Sequence, residues 1–163
     1  MKNSTSKSEL QKALQKLSKA TPTRSTIPIL SCVLIDAEEE GTTLRTTDLE
    51  ITITTTIESS IEETGSAAIP LQTLSDITSE LPDDTRITIE VNDNNNVNII
   101  TDIGSYDLMG KPAEEFPATP EADQRIEAGL ETSVLNEMIS SISFAVSRDD
   151  LKPALTGVYF KFE

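Results

Sequence analysis

An α+β fold is what the sequence predicts, built from a helix followed by antiparallel strands, with that unit used more than once. Three observations lead there. A helix-then-strands pattern runs over residues 6–58 and returns over residues 70–109. Residues 133–162 then repeat residues 8–37 without a gap, at a fixed offset of 125. Ser8, Leu10, Ser18, Ala20, Pro28, Leu30 and Val33 fall on Ser133, Leu135, Ser143, Ala145, Pro153, Leu155 and Val158. Apolar character survives where identity is lost, with Ala13, Leu14 and Leu17 falling on Met138, Ile139 and Ile142. A period of this length is domain-sized, so it marks tandem domains and not a stack of short repeats. Residues 1–120 read as one complete domain and residues 121–163 as the incomplete beginning of another.

Each element has its own signal. Ser6 followed three residues later by Glu9 is a capping box, and Leu10, Ala13, Leu14 and Leu17 lie on one helical face behind it. Pro22 and Pro28 bracket a loop, and Ile29–Ala37 reads as a buried strand. Glu38–Gly41 makes a turn, after which Thr42–Thr47 and Glu50–Glu58 give two more strands, the second alternating Ile and Thr with period two. Asp48 and Glu50 fall in the turn between them. Pro70 opens a second helix with Leu71, Leu74, Ile77 and Leu81 inward, stopped by Pro82. Strands follow at Arg86–Val91, Val97–Thr101 and Ser105–Met109, the first two joined by the turn-forming Asn92–Asn96. The stretch Lys111–Asp123, with three prolines and four acids, reads as a linker. Beyond it, a helix is expected over Thr132–Ile142 and a strand over Leu155–Phe162.

Composition limits the class. With 36% hydrophobic and only 4% aromatic residues, Ile, Leu and Val must supply the core. No stretch approaches the roughly 20 apolar residues of a membrane span, and Met1–Ser6 is too polar for a secretory signal. A soluble, cytoplasmic chain is expected. The single cysteine, Cys32, lies in an apolar run and reads as a small buried hydrophobe. There is no histidine, no P-loop, no dinucleotide glycine pattern and no pair of metal-spaced cysteines, so neither an enzyme nor a cofactor or metal site is expected.

Charge points to a partner. The chain has a formal net charge of −15, yet residues 1–24 hold six cations (Lys2, Lys7, Lys12, Lys16, Lys19 and Arg24) against the single acid Glu9. Lys12, Lys16 and Lys19 recur at helical spacing, and Lys12 sits about 200° around the helix from Leu10. The cationic stripe therefore lies opposite the apolar one, flanked by Gln11 and Gln15. A solvated helix face normally mixes both signs, so this pattern suits an anionic partner.

Several stretches resemble the bacterial DNA polymerase III beta subunit family, the sliding clamps. Arg24-Ser25-Thr26-Ile27-Pro28-Ile29-Leu30 and Thr47-Asp48-Leu49-Glu50 are similar to two of its signatures. Leu81-Pro82, Pro112–Pro117 and Leu155-Thr156-Gly157-Val158-Tyr159-Phe160 resemble later landmarks, in the same order and at matching separations. The resemblance implies the DNA-clamp fold, with two β-α-β half-units per domain and helices on one face of antiparallel sheets. It implies three such domains per chain and two chains closing into a homodimeric ring around duplex DNA. Polymerase and clamp loader are the implied protein partners. The role implied is that of a non-catalytic processivity factor in DNA replication, with this chain reading as a fragment of it. Arg24 matches a loop arginine that touches DNA in that family, and Arg148 matches the equivalent loop of the second domain. Lys12, Lys16 and Lys19, with Lys7, lie on the helix expected to face DNA.

The sequence departs from that pattern in places. Lys2–Ser6 lacks the apolar residues usual in the first strand, so a frayed or poorly paired strand is expected. The second helix offers Gln72, Thr73 and Ser79 where basic residues are common, and Lys12, Lys16 and Lys19 fall on Glu137, Ser141 and Phe144 in the repeat. The alternative reading is an acidic, β-rich protein-interaction module without DNA binding.

Overall fold

The computed structural model describes residues 1–22, 25–119, 129–149 and 151–161. It divides into two compact units, residues 1–120 and 121–163.

Unit 1 begins with strand β1 (Lys2–Ser6) and helix α1 (Lys7–Leu17), followed by strands β2 (Cys32–Glu38), β3 (Gly41–Thr47) and β4 (Thr52–Ile57). Strands β5 (Ser60–Glu63) and β6 (Gly65–Pro70) lead into helix α2 (Leu71–Glu80), and β7 (Arg86–Val91), β8 (Asn96–Thr101) and β9 (Gly104–Met109) complete it. These strands form two antiparallel sheets, one in the order β5-β1-β7-β8-β9 and the other β4-β3-β2-β6. The inner faces of both sheets and the apolar faces of both helices close on one core. Leu10, Leu14, Leu17, Ile35, Leu44, Ile69, Leu74, Ile87, Ile89 and Ile99 are fully buried there. The lean aromatic content is thus met by aliphatic packing, as composition required.

Strand β1 corrects an expectation. Far from fraying, it is paired on both sides, to β5 and to β7. Backbone ladders do not depend on side-chain polarity, and its polar side chains find partners of their own. Asn3 donates from Nδ2 to Thr42 Oγ1 at 3.1 Å, the Thr5 hydroxyl donates to the Glu58 carbonyl at 2.7 Å, and Ser4 and Thr88 hydroxyls pair at 2.8 Å. A polar strand is therefore accommodated inside a sheet, between β5 and β7, with one buried oxygen, Asn3 Oδ1, left without a hydrogen-bond partner.

Two further differences concern strand boundaries. The run expected as a strand over Ile29–Ala37 opens instead as a 3-10 turn, Pro28–Ser31, with the strand starting at Cys32. Pro28 favours such a first turn, and it folds Ile29 and Leu30 over the outer face of the second sheet. There they pack with Cys32, Leu34, Ala68 and Phe116 in a separate apolar cluster. Burial raises the Cys32 thiol pKa. The stretch between residues 59 and 70, unread in the sequence, forms β5 and β6. Chain direction switches sheets at Gly65, whose φ of +147° suits glycine and whose Cα lies so near Met1 that a Cβ would approach Met1 Cβ to 3.0 Å.

Unit 2, taken by itself, contains helix α3 (Thr132–Ile142), as expected, and two short 3-10 turns, Ser143–Ala145 and Pro153–Leu155. The strand expected over Leu155–Phe162 is not formed among its described residues; Phe162 lies outside them. A strand is stabilised by a ladder partner, and no described segment of unit 2 supplies one. No helix among the described residues is long and apolar enough to cross a membrane.

Candidate nucleic-acid interface

Helix α1 builds the candidate surface. The Ser6 hydroxyl accepts a hydrogen bond from Glu9 N–H at 3.2 Å, which satisfies one free donor of the first turn. The reciprocal half of the expected capping box is not made, because the Glu9 carboxylate turns to Lys12 Nζ at 3.7 Å. At the other end, the buried Thr46 hydroxyl donates to the Leu17 carbonyl at 2.8 Å, fastening the last turn of α1 to β3. Leu10, Ala13, Leu14 and Leu17 are buried against β4, β3, β1 and α2. Fixing that face fixes the opposite one, since residues two positions away point outward.

Lys12 and Lys16 are exposed on that outward face, and Lys19, expected on the same helix, is exposed just beyond its end in the 3-10 turn Ser18–Ala20. Among the described residues no ion pair engages Lys16 or Lys19, and Lys12 has only the loose contact with Glu9. Lys7 is different and corrects its assignment to the ridge. It is buried, and its ammonium is bound to Asp83 at 2.6 Å. That contact, with a bond from Lys7 N–H to the Thr85 carbonyl at 2.9 Å, ties the start of α1 to the loop before β7. The reason is positional. Lys7 is three residues before Leu10, so it lies over the apolar face, and its long stem is covered while its charge finds an acid at the rim. The same ammonium holds the Asp83 carboxyl below the usual carboxylate range, chiefly by hydrogen bonding and then by Coulomb attraction.

Arg24 lies outside the described residues. Arg148 is exposed in unit 2, in a loop where Asp149 N–H bonds the Ser147 hydroxyl at 3.0 Å. On α2, next to α1, Gln72 donates to Asp76 at 2.7 Å, and Thr73 and Ser79 are exposed; this helix adds no cation. Elsewhere in unit 1, Arg45 lies on β3, Arg86 starts β7 and Lys111 follows β9, all off helix α1. Lys2 bridges Glu62 at 2.9 Å and Glu90 at 3.1 Å, and hydrogen bonds to those carboxylates raise its pKa. The turn predicted around Asp48 is present, with its carboxylate accepting from Ile51 N–H at 2.7 Å and Glu50 N–H at 3.0 Å. Those two bonds lower its pKa and account for this acid without any catalytic role.

What remains is a ridge of three exposed ammonium groups, two on α1 and one on the 3-10 turn that follows it. Among the described residues no group of three or more His, Cys, Asp or Glu side chains is placed to hold a metal ion. Such a ridge attracts phosphate without reading sequence.

Comparison with known proteins agrees with this architecture. Residues 1–120 match the family model of the DNA polymerase III beta subunit, N-terminal domain. The beta sliding clamp of Synechococcus elongatus is 34% identical over 157 residues, covering 95% of this chain and 42% of that protein. The beta sliding clamp of Bacillus subtilis is 31% identical, covering all of this chain and 45% of that one. The crystal structure of the DNA polymerase III subunit beta from Pseudomonas aeruginosa superimposes with a TM-score of 0.88 at 28% identity, over 96% of this chain and 43% of that one. The clamp structure from Bacillus subtilis gives 0.87, also at 28% identity, over 94% of this chain and 42% of that one. The chain thus spans about two fifths of the length of these relatives. A matched domain model over 120 residues, the two-sheet, two-helix layout and the helix-borne lysine ridge together place this chain in the DNA polymerase III beta subunit family.

Proposed function

We propose that this chain serves as the N-terminal portion of a sliding-clamp subunit, a non-catalytic processivity factor that holds the replicative polymerase on duplex DNA. The observation carrying this reading is the set of exposed lysines, Lys12 and Lys16 on α1 and Lys19 on the 3-10 turn that follows it, in a chain of net charge −15. An acidic exterior repels DNA everywhere except along a cationic strip, and such a strip binds phosphate loosely enough to slide. In this reading Arg24 and Arg148 add phosphate contacts from loops, the whole protein closes as a homodimeric ring, and a clamp loader and polymerase are its partners in the cytoplasm. Residues 121–163 are the opening of a second clamp-type domain, supported by the 125-residue repeat and by the helix found at both positions of it.

The test is duplex binding as a function of salt. The chain should bind duplexes of unrelated sequence alike and weaken steeply with salt, and the joint change Lys12→Glu, Lys16→Glu, Lys19→Glu should abolish binding while leaving the melting temperature of unit 1 unchanged. Binding that survives this reversal would sink the proposal and favour the interaction-module reading.

A further inference from the structure

Charge is the property of unit 1 that the lysine ridge does not absorb. Among the described residues of that unit sixteen acids are exposed and none is buried, against four exposed cations. Three of the four are Lys12, Lys16 and Lys19, which leaves Arg86 as the one exposed cation off the ridge among those residues. Ion pairs among the described residues engage only Glu62, Glu63 and Asp83 of the sixteen acids. Away from the ridge, the exterior of unit 1 is almost entirely of one sign.

Folding itself brings some of these acids together. Glu39 and Glu40 lie in the turn between β2 and β3, Glu62 and Glu63 end β5, and the four line one groove. These two segments are distant in sequence and meet once β5 has paired with β1 and β2 with β3. Repulsion between them therefore falls on the folded state and is relieved when the chain unfolds. The one lysine beside them, Lys2, is already shared between Glu62 and Glu90. Among the described residues no three acids converge to hold a metal ion, so relief has to come from diffuse counterions. Screening reaches about 30 Å at about 0.01 M salt and only about 3 Å at about 1 M. Salt thus removes repulsion across a domain surface while the aliphatic core stays buried.

We propose that unit 1 is a salt-stabilised fold, held below its full stability in dilute buffer by its one-signed exterior and released by screening with monovalent salt. The ridge responds in the opposite sense, because the same ions displace its phosphate contacts. Salt therefore firms the fold and loosens its hold on duplex DNA. That opposition rests on the DNA reading, whereas the stabilisation of the fold does not.

The experiment melts the full 163-residue chain in KCl from about 0.02 to about 1 M, a range that spans weak and strong screening. Unit 1 is followed through the amide signals of Leu44 and Ile89 in its core. Parallel series use KI, which screens equally but does not salt out, and sucrose, which does not screen. The melting temperature should rise by about 10 °C or more, with the early part of the rise, below about 0.2 M, equal in KCl and KI. The joint change Glu38→Gln, Glu39→Gln, Glu40→Gln should melt above the parent in dilute buffer and converge with it at about 1 M KCl. A melting temperature that is flat or falls with KCl overturns the proposal. So does a rise that KI does not reproduce, which would mark salting-out, or a triple variant that gains nothing in dilute buffer. Anisotropy of a labelled duplex in the same KCl series separates the two readings: a rising melting temperature with no duplex binding at any salt leaves the fold proposal standing and removes the DNA reading.

Discussion

Replacing Lys16 with alanine isolates the contribution of a single ridge ammonium. Each phosphate contact on B-DNA contributes about −0.9 to the slope of log affinity against log salt. With three exposed ridge lysines engaged, the slope from this ridge is about −2.7, so raising salt from about 50 to about 200 mM weakens binding roughly 40-fold. Lys16→Ala leaves two contacts, a slope of about −1.8 and a loss of roughly 12-fold over the same range. Lys16 is the cleanest site because it is exposed and no ion pair among the described residues engages it, while the buried Leu14 and Leu17 hold that turn in the core. Glu9→Gln should act in the opposite sense. It frees Lys12 from a carboxylate 3.7 Å away, and the gain is under about fivefold because the pair is exposed and screened. Fluorescence anisotropy of a labelled duplex across a salt series measures both. A wild-type slope that Lys16→Ala leaves untouched would place the phosphate contacts elsewhere and refute the ridge.

Three other outcomes follow from the packing. Lys7→Met should keep the duplex-binding slope of the parent yet lower the melting temperature, because Lys7 holds Asp83 and not phosphate; a reduced slope would return Lys7 to the interface. Leu14→Ala, at a fully buried site, should cost about 2–5 kcal/mol in denaturant unfolding, whereas Met138→Ala at an exposed site should cost less than about 1 kcal/mol. Acid should weaken unit 1 through Asp83 and Asp48, whose folded pKa values are lowered by Lys7 and by backbone N–H groups respectively. Their contribution is fully present above the unfolded carboxyl value near ~3.9 and disappears as pH falls through the lower folded values. Asp83→Asn should flatten that acid limb, and an unchanged limb in urea melts at decreasing pH would argue against the assignment.

Local pattern was enough to read most of the elements. The helical spacing of Leu10, Ala13, Leu14 and Leu17, the Pro70 and Pro82 boundaries of α2, the Ile–Thr alternation of β4 and the Asn-rich turn between β7 and β8 are all short-range signals, and each element formed where its signal lay. The outward direction of Lys12 and Lys16 was legible for the same reason, since helical geometry places them opposite the buried face, whereas Lys19 falls on the 3-10 turn that ends the helix. Lys7 was not, because whether a lysine at the margin of that face meets solvent or an acid depends on Asp83, 76 residues away. Nor was β1, whose place in the sheet comes from ladders to β5 and β7 and from hydroxyl and amide partners on other strands. The sequence by itself determined which residues could form a cationic helix face, and that the apolar pattern behind that face, though not its lysines, recurs from residue 133. Only tertiary structure decided which cations stay free, because burial and ion pairing are set by neighbours distant in the chain.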